Sequence, residues 1–129
     1  MTTILVADDS ATMRTLLELN LKKLPGVRIV LAKDGADALQ KFEAEKPTLV
    51  LTDLHMPNMS GFEFIEKVRT GKNDKHTPIV IVTTRDEAES RQRGMDLGAS
   101  AYVCKPINGA ELVQVVEGCL AGITAAPAS

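Results

Sequence analysis

The sequence predicts an α/β protein built around a doubly wound, five-stranded parallel sheet. Five short runs of apolar and β-branched residues alternate with five stretches in which apolar residues recur at helical spacing. The runs are apolar almost throughout, which is typical of strands covered by helices on both faces. Because crossovers between parallel strands are right-handed, few other arrangements of this alternating order remain.

The predicted strands have the length and composition of buried sheet strands. They cover residues 3–7, 27–32, 48–52, 78–83 and 100–104. Turn signals such as Pro25-Gly26, Asp34-Gly35 and Leu97-Gly98 separate the elements. We therefore expect a single domain over residues 1–122, followed by a short flexible tail over residues 123–129.

The predicted helices cover residues 11–24, 36–44, 87–97 and 109–120, and a further one begins at Ser60. In that helix Ser60 and Glu63 form a capping-box pattern. The fourth helix is highly charged and has few apolar residues. In the other four, the residues expected to face the core are Met13, Leu16, Leu17, Leu21, Leu24, Ala38, Leu39, Phe42, Phe62, Ile65, Val68, Leu112, Val115, Val116, Cys119 and Leu120.

Composition excludes several classes of protein. The chain has 15 basic and 17 acidic residues among 129, so its net charge of −2 gives no reason to expect a nucleic acid or an anionic membrane as partner. The N-terminus meets acidic residues within ten positions and has no basic leader, so we expect neither a signal peptide nor a membrane span. Cys104 and Cys119 lie in apolar surroundings, which indicates reduced thiols and a cytoplasmic protein.

Carboxylates, hydroxyls and one ammonium group lie at the carboxyl ends of four of the predicted strands. Parallel strands end at one edge of a sheet, where ligands bind close to the point at which strand order reverses. A carboxylate at the end of a buried strand costs several kcal/mol, roughly, unless it has a partner. The residues brought to this edge are Asp8, Asp9, Asp53, Thr83, Thr84 and Lys105.

The three carboxylates predict a divalent metal. Crowded acids repel one another unless a cation neutralises them, and an all-oxygen ligand set suits Mg²⁺. A competing interpretation is that Asp8 and Asp9 cap the first helix, although Ser10 could do that alone. Asp53 cannot cap the third helix, because Ser60 occupies that position.

Lys105 and a threonine at the same edge complete a site for a phosphoryl group. In phosphoryl transfer a protein mainly positions donor and acceptor and neutralises charge on the peripheral oxygens. Mg²⁺, Lys105 and Thr83 could each contact one of those oxygens. Asp53 would then be the nucleophile that forms an aspartyl phosphate.

The segments ILVADDS, LVLTDLHMPNMSG, IVIVTT and AYVCKP together resemble the receiver domain of two-component response regulators. The resemblance covers about residues 3–120 and implies the flavodoxin-like receiver fold with strand order 2-1-3-4-5. Without an output domain in this sequence, the chain is similar to the single-domain receivers of chemotaxis. The resemblance implies a switch protein rather than an enzyme. Such a switch catalyses only its own Mg²⁺-dependent phosphorylation and its own slow dephosphorylation.

The resemblance also implies a role for each residue of the site. Asp53 would accept the phosphoryl group from a histidine kinase. Asp9, Asp53 and the backbone carbonyl of His55 would bind Mg²⁺, for which Mn²⁺ can substitute, and Asp8 would hold a metal-bound water. Thr83 would be the switch hydroxyl and Lys105 the counter-ion, with a cis bond to Pro106.

Signal output is implied in the same way. Tyr102 would swing inward behind Thr83, although a half-buried tyrosine on an edge strand is the simpler interpretation. The implied partners are the kinase, a downstream protein bound by the fourth helix, fifth strand and fifth helix, and in some systems a phosphatase. A monomer in chemotaxis or motility control is expected, and a phosphorelay carrier is the alternative.

Three residues beside the site depart from the commonest family pattern and are candidates for tuning phosphoryl lifetime. Thr84 stands where the family often has Ala or Gly, so its bulk could slow hydrolysis. His55 is expected to be exposed, and could otherwise bind metal or position water. Arg85 could reach across toward His55 or form an external salt bridge with Glu87 or Glu89.

Two other classes share parts of this pattern. A flavodoxin-like FMN carrier has a similar sheet, but Asp8 and Asp9 would repel the FMN phosphate. A phosphatase or mutase with an aspartyl nucleophile would need a second acid two residues after Asp53, where His55 stands.

Overall fold

The computed structural model describes residues 2–71 and 74–122, and the predicted tail over residues 123–129 lies outside them. Its sheet is parallel and has the order β2-β1-β3-β4-β5, so the expected fold is confirmed. The chain order is β1 (Thr2–Ala7), α1 (Ala11–Leu21), β2 (Val27–Ala32), α2 (Gly35–Glu45), β3 (Leu49–Asp53), α3 (Gly61–Glu66), a π-helical turn (Lys67–Gly71), β4 (Ile79–Thr84), α4 (Ala88–Asp96), β5 (Ala101–Lys105) and α5 (Gly109–Leu120).

The core has two parts, one on each face of the sheet. Successive strand residues point to opposite faces, so Ile4 and Leu5 of β1 enter different parts. α1 and α5 cover one face, and α2, α3 and the end of α4 cover the other. Both faces of β3 are buried, which explains why the sequence of this strand is apolar without alternation.

Four of the five α-helices in the described part have an N-cap residue whose side chain accepts a hydrogen bond. The donor in each case is the backbone N–H three residues further along the chain. Ser60 does so for α3, as predicted, with its Oγ 3.2 Å from the Glu63 N. Ser10, Asp34 and Asn108 cap α1, α2 and α5. The exception is α4, where the side chain of the N-cap residue, Glu87, makes no capping bond.

Several predicted details were wrong at the ends of elements. The first helix ends at Leu21 rather than at residue 24, and Leu24 reaches the core from a turn. Leu16 is 39% exposed, because the buried row of α1 runs through Leu17 and Leu21. α3 passes into the π-helical turn, from which the buried Arg69 donates to the Gly98 carbonyl at 2.9 Å.

The third, fourth and fifth strands each continue one residue further than predicted. Asp53, Thr84 and Lys105 are therefore the last residues of their strands rather than loop residues. Strand pairing extends to these positions, since Asp53 lies opposite Val82 and Thr84 opposite Lys105. The backbone of these three residues is therefore held in place by pairing with the neighbouring strands.

The loop between β3 and α3 is tied to the start of α2. The Asn58 amide donates to Asp34 Oδ2 at 2.7 Å, and Asn58 has a positive φ of 67°. The Gly35 N–H donates to the Met59 carbonyl at 3.0 Å. A Cβ at Gly35 would lie 2.2 Å from that carbonyl oxygen, so only glycine permits this approach. These contacts hold the segment that follows Asp53.

Within residues 2–71 and 74–122, no helix has the length and apolarity required to span a bilayer.

Replacing Asp34 with Asn should lower stability in a pH-dependent way. Hydrogen bonds from the Asp37 N–H and the Asn58 amide lower the pKa of Asp34 from its ordinary value of 3.8. The stabilisation is therefore complete above that value and is lost as the pH falls through the lowered pKa. We expect wild type to exceed Asp34→Asn by about 1 kcal/mol near neutral pH in urea denaturation. A difference that persists in strong acid would contradict this account.

Candidate functional site

The predicted site residues meet at the carboxyl edge of the sheet. Asp53 ends β3, Asp8 directly follows β1, and Lys105 ends β5. β1 and β3 are neighbours although α1, β2 and α2 separate them in the chain. The strand order therefore reverses between them, which is the position where open α/β sheets bind ligands.

Three carboxylates crowd this edge. Asp8, Asp9 and Asp53 each offer an oxygen within 4.8 Å of the others. Asp8 and Asp53 are buried, whereas Asp9 is exposed. Negative charges this close repel one another, so a cation bound among them would stabilise the ionised carboxylates.

Asp8 has one satisfied and one unsatisfied oxygen. Its Oδ1 accepts from the Ser10 N–H at 2.9 Å, so Asp8 shapes the turn before α1 while Ser10 caps the helix. Its Oδ2 is buried without a hydrogen-bond partner. Burial raises the pKa of Asp8, and the nearby charge of Asp53 raises it further, against the bond from Ser10. A carboxylate oxygen without a hydrogen-bond partner, beside other carboxylate oxygens, fits a hard divalent ion such as Mg²⁺.

Lys105 brings a positive charge to the cluster. Its Nζ lies 3.4 Å from Asp53 Oδ2 and 3.9 Å from Asp8 Oδ2. Asp53 Oδ1 instead accepts the Leu54 N–H at 2.7 Å. The orientation of the Asp53 carboxylate is thereby set, with Oδ2 toward Lys105. The peptide bond from Lys105 to Pro106 is cis, as the resemblance implied.

The two threonines at the end of β4 bind Glu87. Thr83 is buried, and its hydroxyl lies 3.2 Å from Glu87 Oε1. Thr84 contacts the same oxygen through its hydroxyl at 2.9 Å and its N–H at 3.1 Å, and its hydroxyl also reaches Asp86 Oδ1 at 2.6 Å. The bonds from Thr84 hold the pKa of Glu87 below its usual range, with smaller contributions from Thr83 and His55.

His55 is exposed, as expected, but its partner was not predicted. Its Nε2 lies 3.0 Å from Glu87 Oε2, and its ring meets the edge of Phe62 with centroids 5.6 Å apart. Arg85 is exposed and makes none of the predicted contacts among the described residues. Glu87 was expected as a salt-bridge partner for Arg85, and its contacts with Thr83, Thr84 and His55 were not predicted. Glu87 returns to the end of β4 through a short turn, in which its N–H donates to the Thr84 carbonyl at 3.3 Å.

Tyr102 lies at the surface in this structure. Its side chain is 45% exposed, and the Arg91 guanidinium lies 4.9 Å from its ring centroid. Arg91 also donates to the Thr84 carbonyl at 3.2 Å. One arginine of α4 therefore contacts both the end of β4 and the tyrosine of β5.

Comparisons with known proteins give a consistent result. Residues 4–117 match the family described as response regulator receiver domain. Chemotaxis response regulator CheY4 of Vibrio cholerae superposes with a TM-score of 0.83 and 33% identity, over 92% of this chain and 98% of that one. Protein PilH of Pseudomonas aeruginosa is 33% identical over 95% of this chain and 100% of its own length.

A longer relative matches through one part only. The alkaline phosphatase synthesis transcriptional regulatory protein PhoP of Bacillus subtilis is 37% identical over 91% of this chain. The aligned part is 48% of PhoP, so the chain spans about half the length of that relative.

Replacing Asp8 with Asn should stabilise the metal-free protein and reduce its response to Mg²⁺. The change removes a buried charge whose Oδ2 has no hydrogen-bond partner. We expect a gain of about 0.5–2 kcal/mol in the free energy of unfolding without divalent ions. Adding Mg²⁺ should raise the Tm of wild type more than that of Asp8→Asn in calorimetry. Equal shifts in both proteins would contradict a metal site at this carboxylate.

Proposed function

Because the chain belongs to the response regulator receiver domain family, we propose that it is a switch activated by phosphorylation of Asp53. The observation that carries this proposal is the pairing of a buried strand-end carboxylate with Lys105 at 3.4 Å, beside two further carboxylates. A carboxylate so placed can accept a phosphoryl group and have its charge neutralised on both sides.

The carboxylate cluster supports a divalent ion as the cofactor. Asp9, Asp53 and the backbone carbonyl of His55 would hold Mg²⁺ or Mn²⁺, and Asp8 would act through a bound water. The bound ion would supply charge neutralisation for the phosphoryl oxygens and relieve the repulsion among the acids. The donor set is oxygen only, which suits both ions.

In the proposed reaction Asp53 is the nucleophile. Oδ2 forms a bond to phosphorus while the bond to the leaving group of the donor breaks, so no oxidant or other co-reactant is needed. The Leu54 N–H keeps Oδ1 in place, and Lys105 neutralises one peripheral oxygen. The Thr83 hydroxyl would donate to another and thereby report the modification.

The proposed partners follow from membership of the family. A histidine kinase supplies the phosphoryl group, and a downstream protein binds α4, β5 and α5, with Tyr102 as part of the switch. The similarity to the chemotaxis response regulator CheY4 supports a role in chemotaxis or motility, and a phosphorelay carrier would use the same site. We propose a cytoplasmic monomer whose receiver domain covers residues 1–122, with a phosphatase as a further partner.

Acetyl phosphate should modify Asp53, and only with Mg²⁺ or Mn²⁺ present. The intact mass should rise by one phosphoryl group, because a small donor needs only the acceptor and its neutralising groups. Asp53→Asn should remain unmodified, whereas Asp96→Asn, which alters an exposed carboxylate of α4, should react as wild type does. Modification without a divalent ion, or of Asp53→Asn, would overturn the assignment.

Replacing Thr84 with Ala should speed loss of the phosphoryl group, because less bulk would then obstruct water approaching in line. We expect up to about tenfold faster decay in a phosphate-release assay, which corresponds to about 1.4 kcal/mol.

Thr84→Val is the matched control, since it keeps the bulk but lacks the hydroxyl that bonds to Asp86 and Glu87. Decay as slow as in wild type would identify bulk as the cause. If Val and Ala variants decay equally fast, the steric explanation is wrong and the hydroxyl sets the lifetime.

A further inference from the structure

The side chain of Glu87 points back to the phosphorylation site instead of capping its own helix. Glu87 occupies the N-cap position of α4 but makes no capping bond, although the other four described helices are capped by side chains. A helix without a side-chain cap lacks a common source of stability. The Glu87 carboxylate instead makes contacts with residues of the proposed site.

Glu87 binds groups from two different edges of the proposed site. Oε1 accepts from Thr83 Oγ1 at 3.2 Å and from the Thr84 N–H at 3.1 Å, and the Thr84 hydroxyl lies 2.9 Å away. Oε2 lies 3.0 Å from Nε2 of His55, which follows Asp53 by two residues. One carboxylate thus joins the end of β4, the loop after β3 and the start of α4.

The contact with Thr83 matters because a hydroxyl has only one proton to donate. The Thr83 hydroxyl is within reach of Glu87 Oε1 at 3.2 Å and, at the longer distance of 3.4 Å, of the Thr84 carbonyl. Bonds to an ionised carboxylate are stronger than those between neutral groups. A proton held by Glu87 is not available to a phosphoryl oxygen on Asp53.

We propose that Glu87 is a positioning residue that holds the Thr83 hydroxyl in the unphosphorylated state and competes with the phosphoryl group for its proton. The inference rests on the proposed function and adds a residue that sets the balance between the two states. A ligand shifts such a balance only by its differential affinity, so weakening the competitor must strengthen the ligand.

The same contacts offer a route from the site to the surface. Releasing Glu87 frees the start of α4, which also carries Arg91, the partner of the Thr84 carbonyl and the Tyr102 ring. Loss of the Glu87 contacts should therefore change the surroundings of Tyr102 even when no ligand is bound.

The test uses beryllofluoride with Mg²⁺ as a phosphoryl mimic and follows amide and tyrosine resonances by NMR in Glu87→Gln. Gln keeps the shape of the side chain but lacks its charge. We expect beryllofluoride to bind about tenfold more tightly than to wild type, equivalent to about 1.4 kcal/mol. Without ligand, the resonances of Thr83, α4 and Tyr102 should lie part of the way toward their bound positions. Glu89→Gln removes the same charge from an exposed position in the first turn of α4 and should behave as wild type does.

A double-mutant cycle with Thr83→Val separates competition for the proton from a general effect of charge. A carboxylate near an anion weakens its binding whether or not Thr83 has a hydroxyl. If Glu87 acts through the Thr83 proton, Glu87→Gln should improve beryllofluoride affinity in the wild-type background but not in Thr83→Val.

Equal improvement in both backgrounds, or no improvement over Glu89→Gln, would overturn the role of Glu87 and leave the proposed function intact. A wild-type chain that binds no beryllofluoride with Mg²⁺ would overturn the proposed function, and the inference with it.

Discussion

The structure depends on the burial of carboxylates at the carboxyl edge of a parallel sheet. Asp8 and Asp53 lie close together because β1 and β3 are adjacent, with Asp53 at the end of β3 and Asp8 directly after β1. Lys105 is two strands away from β3, and its long side chain reaches across β4 to both acids. Buried charge without complete pairing costs stability, and functional sites commonly retain such a cost.

The helix next to this edge is held differently from the others. α4 fully buries only Gly94, and Met95 near its end packs partly buried against the core. Glu87 binds Thr83, Thr84 and His55, and the Arg93 guanidinium lies 4.1 Å from the ring centroid of Phe62. Polar contacts at a partly exposed surface are individually weak, so the position of α4 can respond to small changes at the site. The burial of the other helices fixes them more firmly.

Much of the fold followed from local pattern. Continuous apolar runs predicted all five strands, and the Ser60 cap and the apolar rows predicted where most helices begin and what they bury. The errors lay where local pattern is weak. Leu16 has the same chemistry as Leu17, and only the rotation of α1 against the sheet decides which of them is buried. The extra residue at the end of three strands depends on pairing with neighbours, which no single segment contains.

The sequence by itself determined which chemistry reaches the edge of the sheet, because residue type and position after a strand are local properties. It placed Asp8, Asp53 and Lys105 together through the alternation of strands and helices alone. Only the tertiary structure decided that Asp34 meets Asn58 and that Glu87 meets His55. These pairs join elements that are distant in the chain, and their geometry depends on how loops cross above the sheet and on side-chain orientation. Neither has a periodic signal that a sequence can display.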